Sequence, residues 1–352
     1  MDAFTQGLNR GERAPDFVLP RQDGIPMRFY ARAGGKPTVL VFFNASGAND
    51  LRCFVAALQQ VAGETLSILA VKHGAVTPQE GGEGDFPFPV FNADMQGNVC
   101  AAYRLSGNIP SICFVLDPNL RVLRTIPLES AEITAQRVAS ILDEDIVQIK
   151  PRKIMAQAPV LLIPNVLDRK LCDFLIQVWE KRGHVETGVE QSQAGRRIDM
   201  VNPNAKSRRD HTVSDEKLLK LLSTAVGRRL LPEIRKAFAY AATRFEGFKI
   251  ACYDADSGGF FSPHRDNLSP ATAHRRFALT LNLNDGYEGG CLRFAEYAPH
   301  LYRPGPGEAI VFACAILHEV TPVTKGRRFT LLSFLFGEEG IRTASQKPQG
   351  GG

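Results

Sequence analysis

Apolar runs alternate with helical patterns along the first 146 residues. The run at 37–43 is almost continuously apolar, as expected of a central strand covered on both faces of a sheet. In 48–62 the apolar residues recur with helical spacing instead. The predicted strands are 37–43, 66–71, 110–116 and 121–124, and the predicted helices are 48–62 and 131–143. Strands interleaved with helices favour an α/β layer domain over residues 1–146.

A different pattern begins after a charged segment at 147–157, which we interpret as a linker. Asp168 is placed to cap a helix that runs to Arg182 and ends at Gly183. Trp179 lies among the apolar residues of this helix, so we expect it to pack in the core.

Short strands separated by glycine-rich turns fill most of the remaining chain. A basic loop is predicted at 195–210, a second helix at 215–238, and strands at 248–253, 277–283, 291–294, 309–312 and 329–336. Many short strands after two helices favour a double-stranded β-helix, or jelly roll, with supporting helices over 158–340. Residues 341–352 are predicted to form a flexible C-terminal tail.

The composition is that of a soluble globular protein large enough for two domains. Of 352 residues, 44% are hydrophobic and 22% are charged, and the formal net charge is +5. This mild basic excess fits an anionic co-substrate but is too weak to indicate nucleic acid. No apolar run approaches the length of a membrane-spanning helix, and no signal peptide is evident. The 7 cysteines include no Cys-x-x-Cys pair and suit reduced thiols, so we expect a cytoplasmic protein without membrane association.

His264, Asp266 and His318 form the candidate metal site. Two imidazoles and one carboxylate are the ligand set that leaves three open positions on one face of a ferrous ion. Arg328 follows the second histidine and is suited to hold a dicarboxylate by a two-pronged grip. Arg327 competes for this role, but Arg328 would share a strand face with Thr330. A metal with open positions and such a clamp indicate an oxygenase that uses 2-oxoglutarate to activate O2.

Each of these residues also has an ordinary structural interpretation. A His-x-Asp pair is common by chance, His318 follows an apolar run that would suit a core histidine, and Arg328 belongs to a basic cluster. We favour the metal site because all four residues occur in order and in matching strand contexts. The basic segments 196–197 and 206–209 leave two interpretations open, a solvated face or a rim that guides an acidic substrate or partner.

Two segments of the first domain, Gly11–Phe17 and Ile109-Pro110, carry a family resemblance. They are similar to the entry segment and the cis-proline of the thioredoxin-like fold in its peroxiredoxin form. No cysteine occurs in 44–51, where a thioredoxin has Cys-x-x-Cys, and Cys53 lacks the proline and threonine of a peroxiredoxin. The resemblance therefore implies a module without redox activity that serves docking or substrate presentation.

Cys53 itself has two interpretations. A position near a helix N-terminus and beside Arg52 permits a reactive thiolate, which would make the chain a thiol peroxidase. We favour the alternative, a semi-buried structural cysteine on a helix, because most such cysteines are inert.

A second resemblance rests on several motifs in order. They are KIACY at 249–253, HRDN at 264–267, LNLN at 281–284, GGCLRF at 289–294 and HEVTPVTKGRRFT at 318–330. Together they are similar to the prolyl 4-hydroxylase-like Fe(II)/2-oxoglutarate dioxygenases, over about residues 158–337. The resemblance implies that His264, Asp266 and His318 bind iron. It also implies that Arg328 pairs with the distal carboxylate of 2-oxoglutarate.

The same resemblance assigns further roles. Thr330 would add a hydrogen bond to the co-substrate, Tyr253 would point into its pocket, and ascorbate would be a further cofactor. Leu281 is a departure, because some prolyl hydroxylases have a tyrosine there whose hydroxyl contacts the co-substrate. The implied activity is hydroxylation of an unactivated C–H bond, in a peptidyl or a free amino acid, with release of succinate and CO2.

The substrate remains open between a protein or peptide and a small molecule. The thioredoxin-like module slightly favours a peptide. The second arginine that a nucleic-acid demethylase of this chemistry carries is not evident, which argues against nucleic acid. Two alternatives belong to other classes, a thiol peroxidase acting through Cys53 and a non-catalytic two-module binding protein.

Overall fold

The chain forms two compact units, Met1–Pro151 and Arg152–Gly352, in a computed structural model. The division falls inside the segment predicted as a linker. The structure describes residues 6–21, 23–62, 66–73, 86, 88–94, 97–106, 111–146, 150–193, 196–200 and 202–339. The motif at 109–110 and the predicted tail at 341–352 lie outside these ranges. Among the described helices, none combines the length and the apolar character that a membrane span requires.

The first unit is built on a mixed sheet. Its strands are β1 (Val18–Pro20), β2 (Pro26–Arg28), β3 (Thr38–Phe43), β4 (Ser67–His73), β5 (Val90–Asp94), β6 (Ile112–Leu116) and β7 (Val122–Pro127). Its helices are α1 (Ala48–Ala62), α2 (Asn98–Ala102) and α3 (Ala131–Asp145), with 3-10 turns at Phe29–Ala31 and Ala45–Gly47. The sheet has the order β5-β4-β3-β6-β7, and β3 is parallel to β4 but antiparallel to β6.

Strand β3 is central because both of its faces are covered. All six of its residues are buried, and successive side chains enter two different cores. Helix α1 covers one face with side chains at helical spacing, namely Leu51, Phe54, Val55 and Leu58. The predicted alternation of strands and helices in this unit is therefore confirmed.

The second unit is mainly antiparallel. Its helices are α4 (Arg169–Arg182) and α5 (Glu216–Phe238), with a 3-10 turn at Ala255–Ser257. Its strands are β8 (Leu161–Ile163), β9 (Val185–Glu186), β10 (Val189–Gln193), β11 (Arg196–Met200), β12 (Lys206–Ser207), β13 (Arg209–Thr212), β14 (Arg244–Phe245), β15 (Lys249–Asp254), β16 (Phe260–His264), β17 (Phe277–Asn282), β18 (Glu288–Gly289), β19 (Leu292–Phe294), β20 (Ala298–Tyr302), β21 (Ala309–Ala313), β22 (His318–Val320), β23 (Val323–Lys325) and β24 (Arg327–Phe336).

Two sheets carry the candidate site. The larger has the order β8-β21-β17-β24-β15-β13-β9, with β14 also paired to β24. The smaller has the order β12-β16-β22-β19-β20. The short pairs β10-β11 and β18-β23 accompany them. Buried side chains of the larger sheet fall into two clusters, one packed with α4 and α5 and one on the opposite face.

Both helices of this unit are capped by an aspartate: α4 by Asp168, the predicted cap, and α5 by Asp215, the first residue of the predicted second helix. The side chain of Asp168 accepts a hydrogen bond from the backbone N–H of Leu171 at 2.8 Å, and Asp215 does the same for Leu218 at 2.8 Å. Trp179 is buried and donates its indole N–H to the Arg209 carbonyl. The prediction that this tryptophan packs in the core is confirmed.

The predicted loop at 195–210 is wrong in part. Strands β11 and β12 and the start of β13 lie within it, and β13 pairs with β15 while β12 pairs with β16. These strands are short and rich in charged residues, so their pairing comes from neighbours distant in sequence rather than from an apolar pattern of their own.

Candidate metal centre

His264 and His318 face each other across a pair of antiparallel strands. His264 ends β16, His318 begins β22, and the two residues are register partners. Asp266 follows two residues after His264, and one ligand atom from each of the three side chains lies within 4.8 Å of the others. The Asp266 carboxylate oxygens lie 3.5 Å from Nε2 of His264 and 3.4 Å from Nε2 of His318. The structure thus brings the three predicted ligands together.

Backbone carbonyls fix the orientation of both imidazoles. Nδ1 of His264 lies 2.8 Å from the Ser262 carbonyl oxygen, and Nδ1 of His318 lies 2.9 Å from that of Ile316. A carbonyl oxygen only accepts, so each Nδ1 must carry the proton and donate it. Both Nε2 atoms, which face Asp266, are then unprotonated and available as metal ligands.

The charges in this group suit a divalent cation. Burial lowers the pKa of His318 below its ordinary value, which favours the neutral imidazole that binds metals. Burial alone would raise the pKa of Asp266, but His318 and His264 hold it below its ordinary value. The carboxylate is therefore ionised near neutral pH and supplies negative charge to the site.

Glu296 ties together the two chain segments that carry the ligands. Its carboxylate pairs with the guanidinium of Arg265, which lies between His264 and Asp266. It also accepts a hydrogen bond at 3.0 Å from the backbone N–H of Leu317, the residue before His318. One side chain thus holds both segments in place.

A buried ion pair supports the backbone of Asp266 from another direction. Arg275 is almost fully buried, and it donates two hydrogen bonds to the Glu246 carboxylate, at 2.7 and 2.6 Å. Its Nη1 lies 3.3 Å from the Asp266 carbonyl oxygen. The loop that carries Asp266 is therefore held at two points. Glu296 binds the side chain of Arg265, and Arg275 binds the main-chain carbonyl of Asp266.

Arg328 and Thr330 present unsatisfied polar atoms in the interior of the unit. Arg328 is 1% exposed and Thr330 is fully buried. Nε and Nη1 of Arg328 and Oγ1 of Thr330 have no hydrogen-bond partner among the described residues. A buried guanidinium without an acceptor costs considerable free energy, so these atoms fit a bound anion. A carboxylate of 2-oxoglutarate has the charge and the acceptors that they require.

Tyr253 lies beside this arginine. The two are register partners on β15 and β24, and the guanidinium of Arg328 lies 5.5 Å from the centre of the Tyr253 ring. The Tyr253 hydroxyl accepts a hydrogen bond at 3.3 Å from Arg208. Arg208 also lies 5.9 Å from the ring of Phe261, which stacks on His264. Arg208 thus contacts both Tyr253, which lies beside Arg328, and Phe261, which stacks on His264.

Gly290, the second of two adjacent glycines, leaves room for the side chain of Arg328. Gly289 and Gly290 both have positive φ values, 72° and 59°. A Cβ atom on Gly290 would lie 3.0 Å from Cδ of Arg328 and 2.8 Å from the Val323 side chain. The glycine pair therefore satisfies both a left-handed turn and a close approach to the clamp.

Comparison with known protein families shows which family has residues similar to those of this site. A model described as the 2OG-Fe(II) oxygenase superfamily matches residues 248–336. These residues form a 2OG-Fe(II) oxygenase domain. The matched span contains the three clustered side chains, the arginine and the glycine pair described above.

Curated relatives of the oxygenase domain are PKHD-type hydroxylases. The one from Pseudomonas putida is 24% identical over 204 residues, which cover 53% of this chain and 82% of the relative. One from Xylella fastidiosa is 36% identical over 100 residues, which cover 28% of this chain and 43% of the relative. The chain thus spans less than half the length of the Xylella relatives that it matches. These matches support a 2-oxoglutarate-dependent hydroxylase.

Solved structures of two kinds are similar to parts of this chain. A prolyl-4-hydroxylase from Pseudomonas putida has 19% identity and a TM-score of 0.39, covering 51% of this chain and 94% of that one. A prolyl hydroxylase from Trichoplax adhaerens, in complex with a hypoxia inducible factor peptide fragment, has 19% identity and a TM-score of 0.44 and covers 53% and 88%. The peroxidoxin BcpB from Mycobacterium tuberculosis has 23% identity and a TM-score of 0.32 and covers 40% and 99%.

The predicted departure at Leu281 is wrong, because this residue does not face the clamp. Leu281 and Leu283 pack in the cluster that includes the helices. The residue between them, Asn282, is the register partner of Thr330 and lies on the opposite face. The alternation of LNLN contained this signal, since residues two apart in a strand share a face.

Three basic residues of segment 206–209 already have partners within the protein. Arg208 makes two hydrogen bonds of 2.7 Å to the buried carboxylate of Asp210. Arg209 pairs with Asp254 at 2.8 Å, and Nζ of Lys206 donates to the Gly188 carbonyl at 2.9 Å. These contacts favour a structural role over an open basic rim for segment 206–209, whereas the side chains at 196–197 lie outside those that the structure describes. The carboxylate two residues after Arg208 was a signal for this pairing that the sequence interpretation missed.

The choice between the two neighbouring arginines agrees with their burial. Arg327 is half-exposed and pairs with Glu180 at 3.2 Å, whereas Arg328 is buried.

Cys53 lies on α1 in the first unit and is exposed, so the expectation of a semi-buried thiol is wrong. It lies in the second turn of its helix, where the effect of the helix N-terminus has declined.

Proposed function

We propose that this protein hydroxylates an unactivated C–H bond of a peptidyl or free amino acid, using Fe(II), 2-oxoglutarate and O2 and releasing succinate and CO2. His264, Asp266 and His318 would hold the iron, and Arg328 with Thr330 would hold the distal carboxylate of the co-substrate. Ascorbate would serve as an accessory reductant. The two sheets of the second unit would form the jelly roll on which this site is built.

One observation carries the proposal. The buried guanidinium of Arg328 lacks an acceptor for Nε and Nη1, in the same domain in which two imidazoles and a carboxylate converge. A buried cation of this kind is stable when an anion completes it. The combination of a three-ligand metal site and an unsatisfied arginine matches a ferrous ion and a dicarboxylate.

The side chains have distinct tasks in this scheme. When bound, Fe(II) and 2-oxoglutarate supply the activation of O2 and the oxidative decarboxylation that drives C–H hydroxylation. His264 and His318 present neutral Nε2 atoms, because their Nδ1 protons are donated to backbone carbonyls. Arg328 would orient the co-substrate by its charge and by the unsatisfied donors on Nε and Nη1. Burial of Arg328 and Thr330 would keep bulk water from the carboxylate that they hold.

The substrate class rests on the relatives. The curated matches are PKHD-type hydroxylases, which supports hydroxylation as the reaction, and the sequence resemblance to prolyl 4-hydroxylase-like enzymes supports a peptidyl or free amino acid as the target. A peptide is favoured over a free amino acid because the first unit is a separate folded module that would present or dock a protein partner.

The direct test measures succinate formed from 2-oxoglutarate by the full chain with Fe(II), in the presence of extract proteins or of pooled free amino acids. Mass spectrometry then identifies the product that has gained one oxygen atom. We expect succinate only with iron present, and its loss in His264→Ala. Iron-independent succinate formation, or none with either substrate pool, would contradict the proposal.

The alternative of a thiol peroxidase is tested separately. We expect Cys53→Ser to leave the rate of peroxide consumption unchanged, because the exposed Cys53 has no activating group in the described structure beyond its neighbour Arg52. That arginine already stacks on Phe86, at 4.7 Å from the ring centre. Rapid stoichiometric oxidation of Cys53 would instead support the thiol enzyme.

A further inference from the structure

An open groove lies beside strand β20 on the second unit, and we call it the β20 groove. It has a volume of about 710 Å³ and is lined by residues 152–157, 297–304 and 308 and by Leu162. Strand β20 is at the edge of the smaller sheet, and β8, which carries Leu162, is at the edge of the larger sheet. Edge strands are the parts of a sheet that another chain contacts most readily.

The exposed apolar side chains of the second unit are concentrated in this groove. Among the described residues of the unit, nine large apolar side chains are exposed, and five of them line the β20 groove. The five are between 41% and 93% exposed, and they are Ile154, Met155, Leu162, Tyr297 and Leu301. Single exposed apolar side chains are common on protein surfaces, whereas a cluster of them marks a surface that a partner covers.

The residue types of the groove are those of protein interfaces. Tyrosine, methionine and arginine are enriched at contacts between proteins, and the groove has Tyr297, Met155 and Arg303. Tyr302 is held in place, because its hydroxyl accepts a hydrogen bond from the Ala158 N–H at 3.3 Å. A small-molecule site would enclose most of its ligand, but the apolar side chains here are open to solvent. We therefore expect a polypeptide as the occupant.

The charges of the groove select the kind of polypeptide. Three cationic side chains line it, those of Arg152, Lys153 and Arg303, and all three are exposed. The one carboxylate among the lining residues, on Glu308, already accepts a hydrogen bond from the Gly305 N–H at 2.7 Å. The groove thus has an excess of positive charge, which favours an acidic partner over a basic one.

We propose that the β20 groove binds an acidic, partly apolar segment of a partner protein. Apolar side chains of the segment cover Leu301 and its exposed neighbours, and carboxylates of the segment pair with Arg152 and Lys153. Burial of the apolar side chains supplies most of the affinity, and the charges speed association and exclude basic segments. The inference goes beyond the proposed function and does not depend on it, because the residues assigned to iron and 2-oxoglutarate do not line the groove.

The test begins with a random-peptide phage library that is selected on the full chain, without added metal or 2-oxoglutarate. We expect the enriched peptides to combine aspartate or glutamate with apolar residues. The most enriched peptide is then synthesised with a fluorescent label, and its affinity is measured by fluorescence anisotropy. The affinity should fall as the salt concentration rises, because salt screens exposed charges.

Two pairs of variants locate the bound peptide. Leu301→Asp puts a negative charge into the groove and should weaken peptide binding about tenfold or more, as loss of a central interface contact does. Leu221→Asp is its control, at a leucine of α5 that is exposed outside the groove. Lys153→Glu should weaken binding to a similar extent and reduce its salt dependence, whereas Lys181→Glu, at an exposed lysine of α4, should do neither.

Several outcomes would overturn the inference. All four replaced side chains are exposed, so the substitutions should keep the fold, which urea unfolding of each variant checks. Enrichment of no peptide, or of peptides without acidic residues, would contradict the proposed partner. Equal peptide affinity in the wild-type protein, Leu301→Asp and Lys153→Glu would exclude the groove as the binding site. A wild-type dimer that dissociates in Leu301→Asp, measured by sedimentation, would assign the groove to a second copy of the chain instead.

Discussion

His264 and His318 are direct register partners on neighbouring antiparallel strands, although more than fifty residues separate them in the chain. Their ring centres lie 4.2 Å apart. Antiparallel pairing places the side chains of such partners on the same face, which explains how two distant histidines meet. Asp266 then needs only the short turn after β16 to reach both Nε2 atoms. The candidate metal centre is therefore a consequence of strand register.

The arginine clamp gives the first prediction. Arg328→Ala should raise the concentration of 2-oxoglutarate needed for half-maximal succinate formation about tenfold to a hundredfold, because a bidentate charged contact is lost. Arg327→Ala is the matched control, since Arg327 is half-exposed and pairs with Glu180. Equal effects of the two substitutions on the 2-oxoglutarate requirement would show that the clamp has been assigned to the wrong residue.

The second prediction concerns Glu296, which contacts both chain segments that carry the ligands but is not itself one of the three ligands. Glu296→Gln should weaken Co(II) binding about tenfold, as removal of groups that orient metal ligands commonly does. Glu288→Gln, at an exposed carboxylate paired with Lys325, should leave Co(II) affinity unchanged. Restoration of affinity in Glu296→Asp would support positioning, whereas an unchanged affinity in Glu296→Gln would exclude it.

Local sequence patterns predicted the four longest helices and the most apolar strands of both units. Helices α1, α3, α4 and α5 follow from apolar residues at helical spacing, and α4 also from its predicted capping residue, Asp168. The central strand β3 follows from its continuous apolar run, because both faces are buried. These features depend on neighbours in sequence, so a pattern reveals them.

The sequence pattern did not predict the short polar strands, or which residues share the sheet face of Arg328 and Thr330. Strand β12 has only two residues, and its pairing with β16 depends on a distant segment. The error at Leu281 has the same origin, because a shift of one residue exchanges the two faces of a strand. The pairing of Arg208 with Asp210 also required the structure, since charged residues near a loop usually face solvent.

The third prediction concerns stability. The carboxylate of Asp210 is buried, accepts two hydrogen bonds from Arg208, and accepts one from Thr187 at 2.9 Å. Asp210→Asn leaves the Arg208 charge buried without a counterion and should lower the free energy of unfolding by about 3 kcal/mol. Fluorescence of Trp179, the single tryptophan of the chain, reports urea unfolding of the second unit. Asp173→Asn, at an exposed carboxylate on α4, should have little effect.

This effect should depend on pH. Burial alone would raise the pKa of Asp210, but Arg208 holds it below its ordinary value of 3.8. A carboxyl whose pKa is lowered in the folded state contributes stability above its unfolded pKa and loses it as the pH falls. The difference between wild type and Asp210→Asn should therefore shrink below about pH 4, near the unfolded pKa of an aspartate. A difference that grows in acid would contradict the ion pair.

The most direct measurement of the central claim is the visible absorption of the anaerobic protein with Fe(II) and 2-oxoglutarate. If His264, Asp266 and His318 hold one ferrous ion with adjacent positions open, chelation of the 2-oxo acid should produce a charge-transfer band that saturates at one iron per chain. We expect this band in the wild-type protein and in Arg327→Ala, and its absence in His264→Ala and His318→Ala. A wild-type protein without the band, or a band of full intensity in His318→Ala, would contradict the account.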